Sequence, residues 1–87
     1  MKYLGNNWIE GETGGHYWQA KVYAEPSTYG IKNGRVSKLC ISKGNKWEGL
    51  GNTIFNYDRG LDFDNSPNGL VEKIINEAQK EFDKHLK

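Results

Sequence analysis

A single cysteine, two prolines and no long apolar run mark what this 87-residue chain lacks. With Cys40 alone, no intrachain disulfide can form, which separates the chain from small secreted scaffolds and fits a reducing compartment. The opening Met1-Lys2-Tyr3-Leu4-Gly5-Asn6-Asn7 has no apolar segment of the kind a signal peptide needs. No stretch approaches the ~20 apolar residues that span a bilayer. The expected location is therefore the cytoplasm. Excess charge is lacking too: 12 Lys+Arg against 11 Asp+Glu leave +1, far from the profile of a dedicated duplex-DNA binder. The balance conceals an asymmetry. Between Pro26 and Lys46, Lys32, Arg35, Lys38, Lys43 and Lys46 meet no acidic residue, so this segment carries +5 and the remainder −4. Such a separation steers anionic partners even at small net charge.

Aromatic side chains are what the chain has in quantity: three Trp, five Tyr and three Phe. Each buries roughly 150–250 Å², so a few suffice for the core of one small domain, here residues 1–87. The others are expected on a surface. Strands dominate the first two thirds. They are expected at about 8–12, 16–24, 35–42 and 53–57, with Trp18, Ala20 and Val22 alternating against Tyr17, Gln19, Lys21 and Tyr23. Gly14-Gly15 ends the first strand, Pro26 ends the second, and Asn33-Gly34 is read as a type I′ hairpin turn. The role of the segment around Trp47, Gly49 and Gly51 is left open. A helix over about 67–85 closes the chain, with Ser66 as N-cap and Pro67 at the first helical position. Its Leu70, Val71, Ile74, Ile75, Ala78, Phe82 and Leu86 form one apolar stripe.

These elements predict an α+β fold, a four-stranded, mainly antiparallel sheet with one C-terminal helix on one face. Trp18, Ala20, Val22, Leu39 and Ile41 are expected to meet the helix. By alternation, Tyr17, Gln19, Lys21 and Tyr23 then line the opposite face beside Val36, Lys38 and Cys40. The candidate binding residues are Tyr17, Lys21, Tyr23, Tyr29, Arg35, Ser37 and Lys38. Two uses of such a face present themselves. Tyrosine and arginine favour a protein interface, including a homodimer. Aromatics beside lysines equally suit a nucleotide or single-stranded nucleic acid.

Neither catalysis nor a cofactor is expected. Asp64-Asn65-Ser66-Pro67-Asn68-Gly69 imitates the start of a calcium loop, but its twelfth position is Ile75 where a bidentate Glu belongs. His16, His85 and Cys40 lack zinc spacing. A Cys40–His16 nucleophile and base pair is conceivable only across strands. The Asp58, Asp62 and Asp64 acids with Arg59 read as an ion-pair cluster leading into the helix.

The stretches WIEGETGGHYWQAKVYAEPSTYGIKNGRVSKLCI and NYDRGLD resemble a family of small uncharacterised proteins from phages and prophages of Gram-positive bacteria. The resemblance runs from about Trp8 to the helix. It rests on a W-x-E-G start (Trp8, Glu10, Gly11), a YGI-x-x-GR-[IV]-SKL segment (Tyr29, Gly30, Ile31, Gly34 to Leu39) and the YDRG box (Tyr57 to Gly60). It implies a genomic setting and no mechanism: a non-enzymatic accessory protein in the cytoplasm of a bacterial host cell. Such a protein would bind a host or phage macromolecule and is of the kind that modulates host defence.

Overall fold

The computed structural model describes residues 1–86, with Leu50 by its backbone alone. The first third of the chain makes tight hairpins because its turns are built for them. Asn6-Asn7 (φ 51° and 72°) and Gly14-Gly15 (φ 58° and 83°) both take the left-handed conformations of two-residue type I′ turns. They join β1 (Lys2–Gly5) to β2 (Trp8–Thr13) and β2 to β3 (His16–Val22). Three further strands follow: β4 (Val36–Ser42), β5 (Thr53–Asp58) and β6 (Leu61–Asp64). Together they form a six-stranded antiparallel meander in which every strand pairs with its sequence neighbour. The sheet thus has six strands rather than the four expected. The two added strands are its edges, each only four residues long and too short for alternation to announce them.

One helix, α1 (Leu70–Lys84), crosses one face of the sheet. Leu70, Ile74, Ala78 and Phe82 repeat every fourth residue and are buried against Ile9, Trp18, Ala20, Val22, Leu39, Ile41 and Phe55. The helix leaves β6 and ends over β1, where Tyr3 packs 6.4 Å from Phe82 and stacks 4.8 Å from His85. Its flanks are tied to opposite ends of the strands. On one side Glu72 pairs with Lys32 (3.2 Å) and Asp83 with Arg35 (2.6 Å); on the other Glu77 accepts a hydrogen bond from Thr13 (2.8 Å). Thr13 Oγ1 in turn accepts from the indole Nε1 of Trp18 at 3.0 Å, which satisfies the one polar atom of a fully buried ring. Gly11, opposite Trp18, leaves room for that ring: a β-carbon there would stand 2.5 Å from Trp18 Cζ2.

Several expectations are corrected. The helix begins at Leu70 rather than 67, and Ser66 does not cap it: both its N–H and its hydroxyl donate to Asp64 Oδ1 (2.9 and 2.6 Å). Asn33-Gly34 is not the centre of a hairpin turn. The left-handed pair is Lys32-Asn33 (φ 54° and 59°), with Gly34 N–H donating to Ile31 C=O at 3.0 Å, inside a long β3–β4 connection. Gly30 packs so tightly on the Gly34 carbonyl that a β-carbon at this position would overlap it. Val36 lies in the core, not on the open face. The register slips between Lys21 and Val22, so Val22 faces Val36 while Lys21 faces Lys38, and the extra residue of the bulge reverses the alternation. Finally, the segment around Gly51 resolves into a 3₁₀ turn, Leu50–Asn52, tied to the sheet where Lys43 N–H donates to Asn52 C=O at 2.6 Å.

Candidate functional site

The face of the sheet that α1 leaves uncovered is ordered by register into rows of side chains. The first row runs Trp8, Lys21, Lys38, Asp58; the second runs Glu10, Gln19, Cys40, Asn56, Phe63; Glu12 and Tyr17 form a third. Rows two and three are bound laterally. Gln19 Nε2 donates to the Tyr17 hydroxyl (2.7 Å), which donates to Glu10 Oε1 (2.7 Å). Partial burial, reinforced by the Glu10 carboxylate, pushes the Tyr17 phenol above its ordinary pKa, so it stays a neutral donor. Asn56 Nδ2 donates to Asp62 at 2.6 Å.

The first row contains an unfavourable pairing. Lys21 and Lys38 stand directly opposite each other on β3 and β4, an arrangement of like charges that costs a sheet stability. Each ammonium finds separate relief. Lys21 Nζ lies 5.9 Å from the ring centroids of both Trp8 and Tyr23, a cation–π distance. Lys38 Nζ lies 3.6 Å from Asp58, which is also 3.7 Å from Arg59.

A groove of about 230 Å³ is sunk into these rows, its lining including Trp8, Gln19, Lys38, Cys40, Trp47, Asn56 and Asp58. Trp47 comes from the β4–β5 loop and is 49% exposed. The Cys40 thiol is raised above its usual pKa by burial, only partly offset by Thr53, so it is a poor nucleophile near neutrality. His16 lies on the other side of the sheet, sharing the alternation of Trp18, and its Nδ1 lies 3.0 Å from the Ser42 carbonyl. The cross-strand pairing of Cys40 with His16 is thereby excluded. Among the described residues no group of three or more His, Cys, Asp or Glu is placed to hold a metal ion. Among them, too, no helix is long and apolar enough to cross a membrane.

The seven residues singled out from the sequence do not form one site. Tyr17, Lys21 and Lys38 share the uncovered face, and Tyr23 borders it through Lys21. Tyr29 and Ser37 belong to a separate depression of about 510 Å³ with Tyr23, Pro26 and Arg59, and the Tyr29 carbonyl accepts from Tyr57 Oη at 2.9 Å. Ser37 is itself buried. Arg35 lies on the helix side: its Nε donates to the Tyr23 carbonyl (2.8 Å), two nitrogens reach Asp83 (2.6 and 3.3 Å), and the guanidinium sits 5.8 Å from the Phe82 ring centroid. Arg35 is a clamp between sheet and helix. Trp8, Trp47 and Asn56 are groove residues that the sequence pattern did not single out. A signal for Trp8 did exist: with Gly14-Gly15 as a two-residue turn, residues whose numbers sum to that of the turn pair face each other, which puts Trp8 opposite Lys21.

No curated protein and no solved structure gives a match to this chain. A family profile described as a domain of unknown function (DUF7678) matches residues 7–83, spanning every strand but β1 and nearly all of α1. The chain belongs to this DUF7678 family.

Proposed function

We propose that this protein is a non-catalytic binding module that engages a macromolecule through the helix-free face of its sheet. One observation carries the reading: the directly opposed Lys21 and Lys38 stand beside the partly exposed Trp8 and Trp47 around a groove, on a face that none of the described elements covers. The cost of the like-charge pair is met only in part within the chain, by the partly exposed Asp58 for Lys38 and by two aromatic rings for Lys21, and an anionic group of a partner would offset the rest. Partly exposed tryptophans are the side chains that contribute most when an interface closes over them. The sequence resemblance supplies a setting, an accessory protein of phages or prophages acting on a host or phage macromolecule in the bacterial cytoplasm, and modulation of host defence is the use that setting favours. Self-association through this face has less behind it, because its charged rows are not an apolar, self-complementary patch.

The test compares wild type with Trp8→Ala/Trp47→Ala and with the helix-side control Lys73→Ala as bait in bacterial lysate, with and without nuclease. A macromolecule retained by wild type and Lys73→Ala but lost from the double variant supports the proposal. Retention unaffected by the double variant, or no retention at all, refutes it.

A further inference from the structure

The uncovered face carries three features that narrow its ligand class, a step that rests on its being the binding surface. The first is shape. The groove has room for about one planar ring and its substituents, at about 230 Å³, and it is lined by two indoles. Base–aromatic stacking of this kind is tolerant of sequence because every base has a π-face.

The second is the polar wall of the groove, two amides whose orientation is set by their partners. Gln19 Nε2 donates to a tyrosine hydroxyl that is itself donating to Glu10, and Asn56 Nδ2 donates to the Asp62 carboxylate. Each amide therefore keeps its carbonyl oxygen and one N–H for a ligand. Such paired donors and acceptors match the hydrogen-bonding edge of an unpaired base.

The third feature is charge. Of the five cations in the acid-free segment, Arg35 and Lys32 are engaged on the helix side by Asp83 and Glu72. Lys38 lies in the groove, and Lys43 and Lys46 lie in the loop that brings Trp47 to it. Lys21, Lys43 and Lys46 have no carboxylate within ion-pair distance among the described residues. Asp58, the acid that lines the groove, is met by both Lys38 and Arg59. Unpaired positive charge therefore lies at Lys21 and along the Trp47 loop, while the acids of this face, Glu10, Asp58 and Asp62, are each engaged by a neighbouring donor.

We infer that the helix-free face binds single-stranded nucleic acid, with a base stacked in the groove against Trp47 or Trp8, its edge against Gln19 and Asn56, and adjoining phosphates on the Lys21–Lys38 pair. A protein partner is the competing occupant. A carboxylate answers the two lysines as a phosphate does, so the preference for nucleic acid rests on the groove between the two indoles and on its amide wall. Duplex is disfavoured because its bases are stacked on each other and have no free face to offer Trp8 or Trp47.

The experiment is a titration of the full chain with a 5′-labelled oligo(dT) of about ten nucleotides, read by anisotropy and by quenching of tryptophan fluorescence, with the matched duplex in parallel. Two to four lysine–phosphate contacts predict a log–log salt slope of about −1.4 to −2.8. Between 50 and 200 mM salt that is roughly a 7- to 50-fold loss of affinity. Trp47→Ala should weaken binding roughly 5- to 150-fold, the range of one lost stack. Lys21→Glu/Lys38→Glu should abolish it, and Lys73→Ala on the helix should leave it unchanged. Bound oligonucleotide should also shield Cys40, the sole thiol and a groove residue, from alkylation. Absence of binding at low salt, binding indifferent to Trp47→Ala and to the lysine reversals, or equal affinity for duplex overturns the inference. If oligonucleotide fails while a nuclease-resistant protein is still lost from Trp8→Ala/Trp47→Ala, the surface stands and its ligand class is wrong; if neither occurs, both readings fall.

Discussion

Replacing Gly11 by alanine tests the packing on which the helix side of the sheet depends. The added β-carbon would lie 2.5 Å from Trp18 Cζ2, 2.9 Å from Cε2 and 2.8 Å from Met1 Cγ, where carbon atoms normally rest about 3.5–4.0 Å apart. Met1 is exposed and can move. Trp18 cannot do so freely, because the ring is fully buried and its Nε1 is held by Thr13 Oγ1, which is held by Glu77. Moving the indole by the ~1 Å required is an overpacking event costing about 1–3 kcal/mol. Loss of the Nε1 hydrogen bond adds about 1 kcal/mol. Relief of glycine's backbone entropy returns about 0.5–1 kcal/mol. The net, about 1–3 kcal/mol, corresponds to a fall in Tm of roughly 5–20 °C for a domain of this size. Thermal unfolding followed by circular dichroism measures it, with Gly51→Ala as control, since a β-carbon there meets nothing within 4 Å. A double-mutant cycle with Trp18→Phe sharpens the test, because a smaller ring should tolerate the added β-carbon and make the pair less costly than the sum. An unchanged or raised Tm for Gly11→Ala, or strict additivity in the cycle, would refute the reasoning.

Two further outcomes follow from the clamp at Arg35 and the turn at Asp64. Arg35→Ala should cost about 1–2 kcal/mol in chemical denaturation, mostly from the Tyr23 carbonyl and Phe82 contacts, with a coupling to Asp83→Ala of only about 0.5–1 kcal/mol because Asp83 is half exposed. Arg35→Lys should recover little of it, since lysine cannot reproduce the fork; full recovery by lysine would show that charge alone matters. The Asp64 carboxyl is held below its ordinary pKa by the Ser66 hydroxyl and N–H, so its contribution is present above the usual carboxylate range and is lost as pH falls through the lowered folded-state value. Asp64→Asn should accordingly flatten the acid limb of a plot of Tm against pH while leaving Tm's pH dependence near neutrality unchanged. An acid limb of the same steepness as wild type would rule this out.

Alternation made the central strands legible. Trp18, Ala20, Val22, Leu39 and Ile41 meet the helix as the pattern requires, and Tyr17, Gln19, Lys21, Lys38 and Cys40 turn away from it. Parity failed at Val36, the first residue of β4, because a bulge is a one-residue event that no propensity marks. The edges were illegible for a different reason. Leu61-Asp62-Phe63-Asp64 reads as an acidic loop, yet it pairs with β5 in a place where only one side needs a partner and charge on the outer strand discourages further pairing. The helix start was misplaced because Ser66-Pro67 satisfies the rules for capping, while the real competition was a nearer acceptor, Asp64, for the same hydroxyl. As for the groove, Trp47 reaches it from a loop whose course is decided by tertiary hydrogen bonds such as Lys43 N–H to Asn52 C=O. Arg35 looked like a ligand-binding cation because its partner, Asp83, is 48 residues away.

The meander and its crossing helix also set an order of events for a chain emerging from the ribosome. Each hairpin needs only residues just synthesised, so β1 to β3 can pair early. Their apolar side, with Ile9, Trp18, Ala20 and Val22, has no cover until Ile74, Ala78 and Phe82 exist. At ~5–20 residues per second the interval between Val22 and the end of α1 is about 3–12 s. For that time the nascent sheet carries an uncovered apolar side, the kind of surface on which aggregation starts. A ribosome that stalls before α1 would release a product prone to aggregate rather than a slightly shortened domain.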